Sequence, residues 1–167
     1  MWGGVLLEEV IRQDEVLAQF HPLSVNTLRI ATFVTNSGIK CQFPVLRMGV
    51  GNAIVDNGGA GGIFAALDDS GTIIAVSDEL GHIYAKHPDT GIRFEQFKIP
   101  LFSDACELCK QLAGRIPENR YCSWDLALSM DRWILVEGNA SGHILWQIAS
   151  GIGIKEELKE LCAQCLQ

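Results

Sequence analysis

The chain has 167 residues, 48% of them hydrophobic and 20% charged, with a formal net charge of −7. That length suffices for one domain with a real core, and the acidic balance argues against nucleic-acid binding, which draws on clustered Lys and Arg. No stretch approaches the about 18 apolar residues of a membrane span, and the opening MWGGVLLEEVIRQDE lacks the basic segment of a signal peptide, so a cytoplasmic protein is expected.

In chain order, a short strand is predicted at Gly4 to Leu7, leading into Glu8-Glu9-Val10-Ile11, then a brief helix from Asp14 to Phe20. Leu28 to Val34 is apolar and β-branched enough for a buried strand. Asn36-Ser37-Gly38 turns it, and Ile39 to Met48 returns antiparallel, with Pro44 marking a bulge or an edge. The glycine-rich stretch 49–62 is read as a short strand around Ala53 to Val55 followed by a loop. It carries neither common phosphate-binding fingerprint, so its glycines serve turns or the close approach of a ligand. Ile63 to Leu67 and Thr72 to Val76 form a hairpin, and His82 to Phe97 is irregular. A helix is predicted from Ser103 to Leu112 with Ser103 as its N-cap, and another from about Lys155. These elements compose an α+β fold, a mostly antiparallel sheet with helices on one side, as a single domain over residues 1–167.

Two cysteine pairs have CxxC spacing, Cys106/Cys109 and Cys162/Cys165. Four thiolates suit a structural zinc. Both pairs fall on helical apolar stripes, however, and cysteine as a small buried residue accounts for them as well.

The richest segment is YCSWDLALSMDRWILVEGN, residues 121–139. It reads as a hairpin of Cys122 to Ser129 with Trp133 to Glu137, looped at Met130-Asp131-Arg132. Pairing Ser129 with Trp133 sets Asp125 opposite Glu137, and Asn139 shares the face of Glu137. Like charges directly across a strand pair repel, so this register calls for a positive charge between the carboxylates. Two carboxylates and an amide oxygen are hard ligands suited to Mg²⁺. An ordinary edge hairpin with its polar residues in water is the alternative.

Several short motifs fall in one order along the chain: Ser24-Val25-Asn26-Thr27-Leu28-Arg29-Ile30, Leu46-Arg47-Met48-Gly49, Val55-Asp56-Asn57, Gly61-Gly62-Ile63, His87-Pro88-Asp89-Thr90-Gly91, Trp124-Asp125 and Glu137-Gly138-Asn139. In that order they resemble the ATP-grasp superfamily, and within it the sugar-transfer-associated group, from about Leu7 to Gln147. The resemblance implies an incomplete ATP-grasp fold, the hinge plus the C-terminal subdomain. It implies ATP and Mg²⁺ as cofactors, a small carboxylate as substrate activated through an acyl phosphate, and a setting in polysaccharide or cell-envelope biosynthesis. It assigns Asp125, Glu137 and Asn139 to the metal, Arg47 and Arg29 to the phosphate or acyl-phosphate groups, and Asn57 to a place near substrate or metal. Glu8, Glu9 and Ile11 fall where the hinge contacts adenine and ribose.

Three departures accompany the resemblance. Ser123 stands where the family has glycine before Trp-Asp, and Gly58-Gly59-Ala60 stand where it has bulkier residues. The family's first subdomain, with the lysines that grip the nucleotide phosphates, has no counterpart. Lys40, Lys86, Lys98 and Lys110 lie outside matching motifs. The expectation is a chain that works with a separate N-terminal half or by self-association, or a non-catalytic domain that binds a partner.

Overall fold

The computed structural model describes residues 9–56, 58–140 and 145–165. The predicted strand at 4–7, and the candidate residues Glu8 and Asn57, lie outside them. After a short helix, α1 (Glu15–Ala18), come four strands, β1 (Thr27–Thr35), β2 (Gly38–Met48), β3 (Ile63–Leu67) and β4 (Ile73–Ser77). The long helix α2 (Phe102–Gly114) follows, then β5 (Tyr121–Ser129), β6 (Arg132–Asn139), α3 (Leu145–Ser150) and α4 (Lys155–Cys165). The strands form one sheet in the order β4-β3-β2-β1-β5-β6, with every neighbouring pair antiparallel.

The α+β class and the antiparallel sheet match the sequence expectation; the layering differs. Successive residues of a strand point to opposite faces, and here both faces are covered. On one, Leu28, Ile30, Leu46 and Leu126 pack in a single core with Phe102, Ala105, Cys109 and Ala113 of α2. On the other, Val45 and Phe64 pack against Leu145 and Ala149 of α3, while Ala31 and Phe33 pack against Leu161 and Cys165 of α4. Helices therefore occupy both sides. Continuous burial along β1 is the corresponding signature, because a strand covered on both faces loses its polar alternation. The same layering separates the cysteine pairs. Cys106/Cys109 ride on α2 and Cys162/Cys165 on α4, across the sheet from one another, so they cannot share one zinc ion.

Local details also differ. Residues 51–56 form turns and bends instead of a strand at Ala53 to Val55. Helix α2 begins one residue earlier than predicted, after Leu101 in a left-handed conformation (φ 50°) with no side-chain cap, so Ser103 lies inside the helix. Asp14 does cap α1, accepting from the Val16 amide at 3.0 Å. Pro44 sits beside a break in the β1–β2 register between Arg29 and Ala31, next to Phe43 at φ 54°. The bulge reading holds, in a central strand where proline needs one.

Candidate functional site

The β5–β6 hairpin sets Asp125 opposite Glu137, but by a different route from the predicted loop. Its turn is the two-residue Met130-Asp131, both at positive φ (49° and 60°), so Ser129 pairs with Arg132. Such a turn matches the right-handed twist of a hairpin. The shorter turn alone would leave Asp125 facing Val136. The ladder instead passes from Leu126↔Leu135 to Asp125↔Glu137, leaving Val136 as the extra residue of a bulge. The bulge restores the opposition that the turn had shifted. Between Glu137 and Asn139 the chain passes against an indole: a Cβ on Gly138 would lie 2.8 Å from Trp124 Cζ3. The link between the two polar side chains must lack a side chain of its own. Asn139 Nδ2 donates to Glu137 Oε1 at 3.1 Å, which confirms their common face.

The same rung continues across the sheet, because Asp125 pairs with Arg29, and Arg29 with Val45. Arg29 forks onto Asp125, Nε to Oδ1 at 2.6 Å and Nη2 to Oδ2 at 2.5 Å. Its Nη2 also lies 3.7 Å from Glu137 Oε1. Arg47, one rung away opposite Thr27, donates from Nη1 to Asp125 Oδ2 at 2.9 Å and pairs through Nη2 with Asp56 Oδ1 at 3.1 Å. Asp56 Oδ2 in turn accepts from the Thr27 amide at 3.0 Å and from the Thr27 hydroxyl. Glu137, Arg29, Asp125, Arg47 and Asp56 thus form a zigzag of alternating charge. Counted formally, two guanidinium groups against three carboxylates leave one net negative charge.

Burial sharpens this arrangement. Asp125 is 1% exposed and Arg47 7%, and a buried charge is tolerated only when paired and hydrogen-bonded. Burial pushes the Asp125 carboxyl up, but the Arg29 hydrogen bonds and charge, with Glu137 and Arg47, outweigh it and hold the group below the usual carboxylate range. At Asp56 the balance goes the other way: burial outweighs Arg47 and Thr27, and its pKa is raised. Burial lowers the pKa of Arg29, but Asp125 leads the contacts that raise it overall.

The loop that delivers Asp56 is pinned at its root. His21 Nε2 lies 3.1 Å from the Gly51 carbonyl and His87 Nε2 lies 3.0 Å from that of Gly49. Since the Asp89 amide donates to His87 Nδ1 at 3.3 Å, Nε2 carries the His87 proton and donates it to Gly49. Gly49 permits this contact, because a Cβ there would overlap the Ser24 hydroxyl and the His21 ring. Asp56, Thr27, His21 and His87 are site-building residues that motif reading left without a role. The sequence signal is that Thr27, Asp56 and His87 each lie within one of the ordered motifs, while His21 lies outside them.

The positive charge that the sequence places between Asp125 and Glu137 is therefore present as the Arg29 guanidinium. Among the described residues no three His, Cys, Asp or Glu side chains are grouped as a metal cage. The donor chemistry nevertheless fits a hard divalent cation. Glu137 is exposed, Asn139 offers an amide oxygen beside it, and Asp125 lies directly across, with Arg29 as a stand-in cation among them. Glu9 is exposed and Ile11 half-buried in the irregular segment before α1. That segment is fastened where the Asp14 amide donates to Leu128 O at 2.9 Å and where Gln13 bridges Ser24 and Asn26.

The sequence profile of the family described as sugar-transfer associated ATP-grasp matches residues 3–163. Neither a curated protein nor a solved structure matches the chain.

Proposed function

The chain belongs to the sugar-transfer associated ATP-grasp family, and on that premise we propose that it is the nucleotide- and metal-binding C-terminal part of an ATP-grasp ligase acting on a small carboxylic acid. The observation that supports this reading is the convergence of Arg29, Arg47, Asp125 and Glu137 on neighbouring rungs of one sheet face, with Asn139 beside them. In the reaction a carboxylate oxygen attacks the γ-phosphorus of ATP. The bond to the bridging oxygen of the departing ADP breaks, and the acyl phosphate then yields to an amine or similar nucleophile with loss of phosphate.

There is little covalent work for the protein in such a step; positioning and charge do most of it. Arg47, held rigid between Asp56 and Asp125, and Arg29, forked on Asp125, present guanidinium groups to the transferring phosphoryl oxygens. Magnesium, when bound, neutralises phosphate charge; Glu137, Asn139 and an Asp125 oxygen released by Arg29 are the groups that would hold it. The 8–11 segment, with Glu8, Glu9 and Ile11, is assigned to adenine and ribose, and Asn57 to a place near substrate or metal. Polysaccharide or cell-envelope precursor synthesis is the setting.

A second reading, a non-catalytic ATP-grasp-like domain acting on a partner chain, is favoured by one observation: both Asp125 oxygens are committed to arginines. Calorimetry with Mg-ATP separates the two. Binding that appears when a separately expressed N-terminal half is added, and is lost in Glu137→Gln, supports the ligase. No binding with any such half leaves the partner-binding reading in place.

A further inference from the structure

The charged rung opens onto a cavity of about 460 Å³ on the same face of the sheet, within the about 300–1,000 Å³ range of small-molecule sites. Arg29 belongs to both. From Arg29 the cavity follows β1 and β5 as far as the Phe33↔Tyr121 pair, four residues or about 13 Å along the strands. Its walls are apolar and aromatic, including Phe33, Phe43, Tyr121, Trp146 and Leu158. The Trp146 indole is fixed as a wall by its hydrogen bond to Leu67 O at 2.8 Å. A second cation, the exposed Arg120, lies at the far end.

We propose that the acid taken by this site has an apolar body, aliphatic or aryl-alkyl and of medium-chain fatty-acid size, seated in this cavity with its carboxylate on Arg29. The assignment rests on the reading that the site acts on a small carboxylic acid, and it names which acid. Asp125 engages Nε and Nη2 of Arg29, so Nη1 is the nitrogen left to donate to a ligand oxygen. A sugar acid placed there would press its hydroxyls against Phe33, Trp146 and Leu158, where they find few partners. Methylenes suit those walls, each adding about fourfold in affinity when buried. The rung's one net negative charge opposes an anion, so the acid binds more tightly when a divalent cation offsets it.

The test is calorimetry on the full chain with hexanoate, octanoate and decanoate, and with decanol and glucuronate as controls, in magnesium chloride and in EDTA. Saturable one-to-one binding is expected, rising several-fold per methylene, tighter in magnesium, at least tenfold weaker for decanol, and undetectable for glucuronate. Cys162 is exposed on α4 and lines the cavity. Cys162→Trp therefore blocks it without disturbing the core, and a tenfold or greater loss is expected with an unchanged melting temperature. Arg120→Gln should change affinity less than twofold. No saturable fatty-acid binding, glucuronate bound as tightly as decanoate, decanol as tight as decanoate, tighter binding in EDTA, no effect of Cys162→Trp, or a tenfold loss in Arg120→Gln would each overturn the proposal. Nucleotide is absent from these titrations, so a failed fatty-acid signal and a failed Mg-ATP signal are read separately.

Discussion

The two faces of this sheet bury side chains by opposite means. Beneath α2, Leu28, Ile30, Leu126 and Leu128 join one apolar core. The alternate residues of the same strands, Thr27, Arg29, Asp125 and Ala127, turn to the face shared by α3 and α4, where charge sits nearly as deep. Apolar packing is divisible, since each methylene lost removes its own contacts and leaves a void of its own size. The charged zigzag is not divisible: removing one member strands its neighbours in a medium that cannot solvate them. A face built that way is stiff and specific, and it suits a site that must meet phosphate charge.

The comparison is sharpest at Asp125. Asp125→Ala leaves two guanidinium groups without their shared carboxylate, and a loss of about 3–5 kcal/mol is expected in urea unfolding; a loss below about 1 kcal/mol would show that the charges are paired elsewhere. Its neighbour Leu126, pointing the other way, should lose about 3 kcal/mol on truncation to Ala, within the usual range for a cavity, and that loss should not respond to salt or metal. Arg29→Met should lose about 1.5–3 kcal/mol and bring Asp125 and Glu137 face to face with less intervening charge. Magnesium chloride should then raise the melting temperature of this variant more than that of the parent, and equal responses would break the stand-in-cation argument.

A smaller effect is expected at His87, where burial leads and holds the imidazole below its ordinary pKa. The folded state keeps it neutral, so its contribution is complete above the ordinary value of about 6.5 and is lost as pH falls through the depressed folded value. His87→Gln should flatten the melting temperature over that acidic interval and leave the lower-pH limb, to which Asp125 contributes. Glu137→Gln is the mildest in stability, within about 0.5 kcal/mol for an exposed position, yet it should weaken magnesium binding by tenfold or more. Unchanged magnesium affinity would remove Glu137 from the site.

Much of this was legible in the residues. Alternation around Asp125 and the E-x-N spacing identified a hairpin and the opposition of Asp125 with Glu137. The loop assigned to it was wrong by one residue, since Met-Asp carries no glycine to advertise a left-handed turn, and the bulge at Val136 cancelled the slip. The motif arginines were recognisable, but not that Arg29 spans the carboxylates or that Asp56 anchors Arg47. Those pairings join residues 96 and 9 positions apart, Arg29 with Asp125 and Arg47 with Asp56, on different elements. Helix α3 went unseen because Leu145–Ser150 is too short to show a helical period.

The sequence alone determined the α+β class, the antiparallel strands and the membership that its ordered motifs carry, because local periodicity and short motifs are written in neighbouring residues. Only the tertiary structure decided which cation stands between Asp125 and Glu137, that helices cover both faces, and that the cysteine pairs lie apart. Those outcomes depend on how β1, β2, β5 and the 49–56 loop meet in space, and coulombic and packing energies between distant segments exist only once the chain has closed on itself.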